Sequence, residues 1–391
     1  MILKHKLKQF CQLSLASLVI TAGLSACSVN SSTSVALDPA STQPNQHAIQ
    51  TLNLVKQLDP DTQQITDKSD LTAYLLVYFK DETHSAYFAT STDGYRFTDV
   101  NNGEPVLIGK AVAEQLGVRD PHIYRGPDNA FYMALTDLHI FAKREGLRAT
   151  EWERDGDKYG WGNNKNLILM KSYNLIDWTL ARVPVNQLFP QAGDLGSVWA
   201  PQTIYDDTTN QLMVYFTTRQ KNEPNYMVYS YANSDFTTLT TTPKQIFYYP
   251  NPKINTIDAD ITKIGDKYHM FYVAHDNPGN LRQAISDKIN ADYQFDPTKV
   301  DSEKVAAEAP NLWHRHGTDT YVLMYDVFHA KPRNNMGFAE TTDFKTFKNI
   351  GRFNEPDSPM KATNFEGPKH GAVLPISIKE LDRLTQYFNQ P

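Results

Sequence analysis

The chain has 391 residues, 40% of them hydrophobic and 12% aromatic, with two cysteines and a formal net charge of −6. With 44 acidic against 38 basic residues it lacks the positive surface that phosphate recognition needs, which argues against nucleic acid as a partner. So few cysteines exclude a disulfide framework, so the fold must be held by a core, which a chain of this length can build.

The N-terminus opens with a basic segment, MILKHKLKQF, followed by the apolar run CQLSLASLVITAGLSAC. That run is too short and wrongly flanked for a stable membrane span and reads as a secretory signal over residues 1–26. Its end, Leu24-Ser25-Ala26-Cys27, resembles the bacterial lipobox, which implies cleavage before Cys27 and a diacylglycerol on its thiol. An ordinary signal with a coincidental cysteine is the competing reading. Cys11 lies inside the signal, so no disulfide within the mature chain is expected. Ser28 rather than Asp follows Cys27, which implies an exported protein anchored at the outer membrane. Residues 27–68 are rich in Ser, Thr, Asn, Gln and Pro without a sustained apolar period and read as a flexible tether.

Residues 69–391 crowd aromatic and β-branched residues into short runs bounded by Gly, Asn, Asp and Pro, which predicts an all-β body. Four stretches share a layout: RDPHIYRGPDNAFYMALTD from Arg119, WAPQTIYDDTTNQLMVYFTTR from Trp199, IDADITKIGDKYHMFYVAHD from Ile257 and EAPNLWHRHGTDTYVLMYD from Glu308. Each reads as a polar or Pro-marked start, a strand, a polar turn and a second strand, with a third strand following. Two fragments remain. HGAVLPIS near the C-terminus resembles a lone first strand, and residues 73 to 97 resemble second and third strands without a first. Joined, they make a fifth unit, and the expected fold is a five-bladed β-propeller closed by N-terminal strands that complete the C-terminal blade; closure removes exposed sheet edges.

In such a ring the starts of the first strands meet at one face near the axis, which gathers Asp120, Asp258 and Glu308 from three blades. Two carboxyl groups across a scissile bond, one protonated and one ionised, are what glycoside hydrolysis needs. A third can keep one of them protonated by like-charge crowding. A lone Asp-Pro such as Asp120-Pro121 is ordinarily a turn former; only the ordered repeat lifts it above that reading. The segment from 138 to 165, between the second and third strands of the first unit, is far longer than a hairpin connection and is expected to wall one side of a pocket.

The ordered set Asp120-Pro121, Trp199-Ala200-Pro201, Ile257-Asp258-Ala259-Asp260 and Glu308-Ala309-Pro310 resembles glycoside hydrolase family 43 over about residues 71 to 380. The resemblance implies an inverting hydrolase with Asp120 as general base, Glu308 as general acid and Asp258 as the residue that tunes the acid. It implies oligo- or polysaccharide substrates carrying terminal arabinofuranosyl, xylosyl or galactosyl units. Asp260 competes with Asp258; Asp258 is preferred because it stands three residues before Ile261, as Asp120 stands three before Ile123. Glu366, in a second Glu-Gly-Pro, is a rival acid without a downstream hairpin. Trp199 reads equally as blade packing or sugar platform. Trp152 and Trp161, in the long loop, are candidates for stacking on sugar, and Arg333 for clamping hydroxyls, although a solvated loop arginine is the plainer reading. His370 is expected near the axis. There the resemblance implies contact with water or at most a structural calcium ion held largely through water, since calcium prefers oxygen ligands; no cofactor is required. His314 and His316 match no zinc spacing.

Two other classes share part of this pattern. Retaining propeller enzymes of the invertase and levansucrase group also carry Arg-Asp-Pro, but need an earlier nucleophilic Asp and a Glu in the next unit, where this chain has Trp199-Ala200-Pro201. A noncatalytic sugar-binding lipoprotein would keep the aromatic rim without needing three acids.

Overall fold

The repeat stretches fold as five antiparallel sheets around one axis, in a computed structural model that describes residues 50–51, 67–276, 280–328, 330 and 334–389. Cys27 and Arg333 fall outside the described residues. Blade 1 consists of strands Val118–Arg125, Phe131–Asp137, Asn166–Ser172 and Ala181–Pro184. Blade 2 consists of Leu195–Asp206, Gln211–Gln220, Tyr226–Tyr231 and Lys244–Gln245. Blade 3 has Thr256–Ile264, Lys267–Ala274 and Asn280–Ser286. Blade 4 has Ala307–His314, Tyr321–Val327, Asn335–Thr341 and Lys348–Arg352.

Blade 5 is built from both ends of the propeller. Lys369–Ile376 pairs antiparallel with Ala73–Lys80, in a register that sets Leu75 opposite Leu374, and Ser85–Ser91 and Arg96–Asp99 follow outward. The expected five-bladed closure is therefore present. The short strand Lys361–Ala362 extends the sheet by parallel pairing with Arg96 and Phe97.

These strands are apolar on both faces because each blade is packed between two others. In Phe131–Asp137, Phe131, Met133 and Leu135 pack with Leu75, Val77 and Phe88 of blade 5. Tyr132 and Ala134 pack with Val198, Val214 and Phe216 of blade 2. Similar clusters fill the remaining interfaces: Tyr215 with Met270, Phe271 with Leu323, and Trp313 with Tyr78. Alternation along a strand here chooses the neighbouring blade rather than core against solvent.

Besides three single-turn helices, Gly109–Val112, Gly156–Tyr159 and Val185–Leu188, one longer element departs from the all-strand expectation. Ile378–Phe388 is a helix with a capping box, Ser377 accepting from the Glu380 N–H and Glu380 accepting from the Ser377 N–H. Its Leu384 and Phe388 are buried against the cluster between blades 5 and 1. Glu380 also pairs with Arg125 at 2.7 Å, so the helix fastens the closing strand to the outer end of the blade 1 first strand.

Candidate active site

All five first strands break register in the same place. Arg119 and His122 pair with Thr136 and Ala134, so three steps on the inner strand match two on its partner. The same slip occurs between Trp199 and Gln202, Ile257 and Asp260, Glu308 and Asn311, and Lys369 and Ala372. One extra residue per strand is a β-bulge, which re-aims the side chains beside it. The bulged residues Asp120, Ala200, Asp258, Ala309 and His370 all have positive φ, between 26° and 59°. Asp tolerates this left-handed region better than most residues, which suits Asp120 and Asp258.

The bulges divide the ring into two tiers. Asp120, Asp258 and His370 occupy bulged positions, while Arg119, Trp199, Ile257, Glu308 and Lys369 occupy the residue just before. Glu308 is thus offset by one from the two aspartates, with Ala309 in the bulge, rather than sharing their position as the Asp-Pro and Glu-Ala-Pro motifs suggested. All eight side chains line one cavity of about 440 Å³, walled further by Leu138, Ile140, Trp161 and Arg219. A depression of about 490 Å³ at the far ends of the first strands, lined by Tyr124, Tyr205 and His314, contains a single carboxylate, Asp207, and Lys263 engages it at 3.0 Å.

The three acids sit in unlike surroundings. Asp120 accepts from the Thr136 hydroxyl at 2.8 Å and faces His370, with Nδ1 3.3 Å from Oδ1. Burial alone would raise its pKa, but His370, Arg119 and the Thr136 hydroxyl together hold it well below the ordinary carboxylate range. The imidazole is pushed the other way: burial disfavours its charge, yet Asp120, Asp258 and Asp326 carry its pKa up to about 9. Asp258 is buried, and its pKa rises to about 8 through loss of solvent, opposed by His370 and reinforced by Glu308, Asp120 and Asp326. Burial also raises the Glu308 carboxyl; Lys369, His370 and Arg119 oppose this, and Asp120 adds to it.

Asp260 points away from this cavity. Its carboxylate accepts from the Leu312 N–H at 2.9 Å and the Asn311 amide at 3.2 Å, tying blade 3 to blade 4. Glu366 is exposed on the connection leading into the last strand and does not line the cavity.

A family model described as a probable glycosyl hydrolase domain, family 43-related, matches residues 69–382. The chain belongs to this family. An alpha-L-arabinofuranosidase of Bifidobacterium longum subsp. longum is 24% identical over 51% of this chain, but this chain spans only 19% of that relative. Among solved structures, a thermostable family-43 glycoside hydrolase aligns with a TM-score of 0.47 at 15% identity, covering 67% of this chain and 80% of its own. An alpha-L-arabinofuranosidase from Clostridium thermocellum ATCC 27405 aligns with a TM-score of 0.48 at 12% identity, covering 69% and 85%.

In this family 43-related chain the aromatic wall is braced by basic residues. Trp199 donates its indole N–H to the Gly162 carbonyl at 2.8 Å and carries the Arg219 guanidinium 4.5 Å above its ring. Arg219 in turn donates to the Tyr159 and Trp161 carbonyls. Arg148 and Arg154 pin the rest of the 138–165 segment through backbone carbonyls, so it forms a fixed wall. Trp161 is 56% exposed and faces the cavity. Trp152 stands behind it, edge-on at 5.4 Å, and does not line the cavity.

Several lining residues were not singled out from the sequence: Arg119, Lys369, Arg219 and Asp81. Arg119 and Lys369 directly precede Asp120 and His370, and aligning the bulges would have revealed both. Arg119 pairs with Asp81 at 2.7 Å. The described residues hold no cluster of three or more His, Cys, Asp or Glu suited to a metal, and the His370 Nδ1 is turned to Asp120. These residues do not fit a directly ligated calcium ion.

Proposed function

We propose that this protein is an inverting glycoside hydrolase that removes terminal arabinofuranosyl, xylosyl or galactosyl units from oligo- or polysaccharides. The observation that carries this reading is the convergence of Asp120, Asp258 and Glu308, from three blades, on one cavity. Asp120, held ionised beside His370, is the base. Glu308, held protonated by burial, is the acid, and Asp258 is a buried neighbour whose like charge would make it unfavourable to ionise both carboxyls at once. The Glu308 proton passes to the glycosidic oxygen as the bond to the anomeric carbon breaks. A water attacks that carbon from the opposite face and yields its proton to Asp120, giving a product of inverted configuration. Trp161 and Trp199 supply apolar faces for the sugar, and Arg119 and Lys369 supply hydrogen-bond donors.

Lipid attachment at Cys27 would hold the enzyme at the cell envelope, with residues 27–68 as its tether; the motif Leu24-Ser25-Ala26-Cys27 supports this reading.

The test is Asp120→Asn, assayed with nitrophenyl arabinofuranoside, xyloside and galactosides. Turnover is expected to fall by about 10³-fold or more while sugar binding, read by calorimetry, persists. Unchanged turnover removes Asp120 from the mechanism, and an early product of retained configuration by NMR removes inversion.

A further inference from the structure

The second strands contain a position that recurs with the bulges. The residue directly opposite each pre-bulge residue is Thr136 in blade 1, Thr217 in blade 2, Val273 in blade 3, Asp326 in blade 4 and Phe79 in blade 5. In three blades this residue braces the next blade around the ring. The Thr136 hydroxyl accepts the Ala200 N–H at 2.8 Å, the Thr217 hydroxyl accepts the Asp258 N–H at 3.0 Å, and Asp326 Oδ1 accepts the His370 N–H at 2.9 Å.

A hydroxyl is sufficient for that brace in blades 1 and 2. Blade 4 uses a carboxylate, buried at 4% exposure and directly across the ladder from Glu308. Two acids facing each other in register repel when both are ionised, so the arrangement favours a state in which one of them keeps its proton. The second oxygen, Oδ2, is buried without a hydrogen-bond partner among the described residues. Among the described residues the nearest cation is the Lys369 ammonium, 3.9 Å away, which also stands 3.8 Å from Asp81 Oδ2.

We propose that Asp326 is a positioning residue of the reaction: it holds Lys369 and the bulged backbone of blade 5 behind Glu308, and so sets the charge environment in which Glu308 delivers its proton. The inference rests on the reading of Glu308 as the acid. The titratable and charged groups around Glu308 are Lys369 and His370 from blade 5, Asp81 beside Lys369, Arg119 and Asp120 from blade 1, Asp258 from blade 3 and Asp326 from its own blade. Arg219 is the charged contribution of blade 2 to the cavity. Of these, Lys369 is the strongest opponent of a protonated Glu308. Asp326 counters it, both as an anion beside the ammonium and as a like charge opposite Glu308. The Asp326 pKa is itself raised to about 6 by burial, against Lys369, so it carries its charge in the neutral and alkaline range where the acid must stay protonated.

The test is the pH profile of kcat/KM for Asp326→Asn and Lys369→Met beside the unmodified enzyme. Asn keeps an acceptor for the His370 N–H and removes the charge, so Glu308 loses its proton more readily and the alkaline limb moves to lower pH, by about one unit. Removing the ammonium moves the same limb to higher pH. KM in the plateau changes little for Asp326→Asn, since Asp326 does not line the cavity. A residue that only braces the fold would lower the whole profile or the melting temperature without moving the limb in opposite senses; an unmoved limb, or two shifts in the same direction, overturns the proposal. Asp326→Thr, which restores the hydroxyl brace of blades 1 and 2, is expected to reproduce the Asn profile with a cooperative melt, and a Thr profile identical to the unmodified enzyme overturns it too. Glu308→Gln separates the two readings. If that variant stays active, the acid assignment fails; if it is inactive while the limb of Asp326→Asn stays put, only the positioning role fails.

Discussion

Asp258 shows most directly how the site is set against the stability of the fold. Its pKa stands at about 8 in the folded protein against an ordinary value of 3.8, so the folded state binds this proton more tightly than the unfolded chain does. Between those values the unfolded carboxylate is ionised and the folded one is not. Folding then takes up a proton, and stability falls as pH rises from about 4 to about 8. Asp258→Asn removes this penalty, and Asn is at ease at the positive φ of 55° found there. The variant is expected to be more stable than the unmodified protein by several kcal/mol near pH 8, with the gap closing towards pH 4, while losing most of its activity. Denaturant titrations at pH 4.5, 6 and 8 read this, and a gap independent of pH would show that burial does not hold Asp258 neutral. The three acids were legible because each stands beside a Pro or Ala that marks a strand start. Asp326 was hidden, because nothing in VLMYD distinguishes a bracing carboxylate from one that ends a strand in solvent.

At the scale of the element, the bulge turns a plain propeller strand into part of a site. A one-residue slip in a strand exchanges its two faces, so each first strand presents one side chain set to the cavity before the slip and packs normally after it. The bulge survives only if its freed backbone groups find partners. Thr217 supplies one of these, and its hydroxyl cannot be replaced by a methyl group without orphaning the buried Asp258 N–H. Thr217→Val, which keeps the shape, is expected to cost about 1–3 kcal/mol and to reduce kcat by more than it changes KM, because Asp258 is displaced while the proposed sugar platform of Trp161 and Trp199 keeps its place. Thermal melts and steady-state kinetics together check this; a stability loss with normal kcat would mean that the bulge aims Asp258 without help from Thr217. The slip was not legible in RDPHI or IDADI, since a strand apolar on both faces carries no polar alternation to fall out of step. That same absence misaligned Glu308 with the aspartates by one residue.

At the scale of the whole molecule, the fifth blade was readable as two orphan fragments, whereas the closing helix was not, because a search for strand repeats ends where HGAVLPIS ends. The helix nevertheless carries a readable start, Ser377 with Glu380 three residues on, which is the capping-box pattern. Its work is mechanical. Every cavity-lining residue lies between Asp81 and His370, so deleting residues 378–391 leaves the chemistry in place. The deletion uncovers the apolar cluster beneath Leu384 and Phe388 and unpairs Arg125 from Glu380. Each buried apolar side chain of this size contributes about 1.5–3 kcal/mol, and the ion pair, with both partners largely sequestered, leaves a desolvated guanidinium when broken. The truncated protein is therefore expected to melt several degrees lower, at about 2–4 °C per kcal/mol for a domain somewhat smaller than this one, yet to keep near-normal kcat/KM at 20 °C. Melting curves followed by circular dichroism and assays below the transition would show it. Loss of activity well below the melting temperature would mean instead that the helix holds Lys369 and His370 in register, so that closure of the ring and assembly of the site are one event.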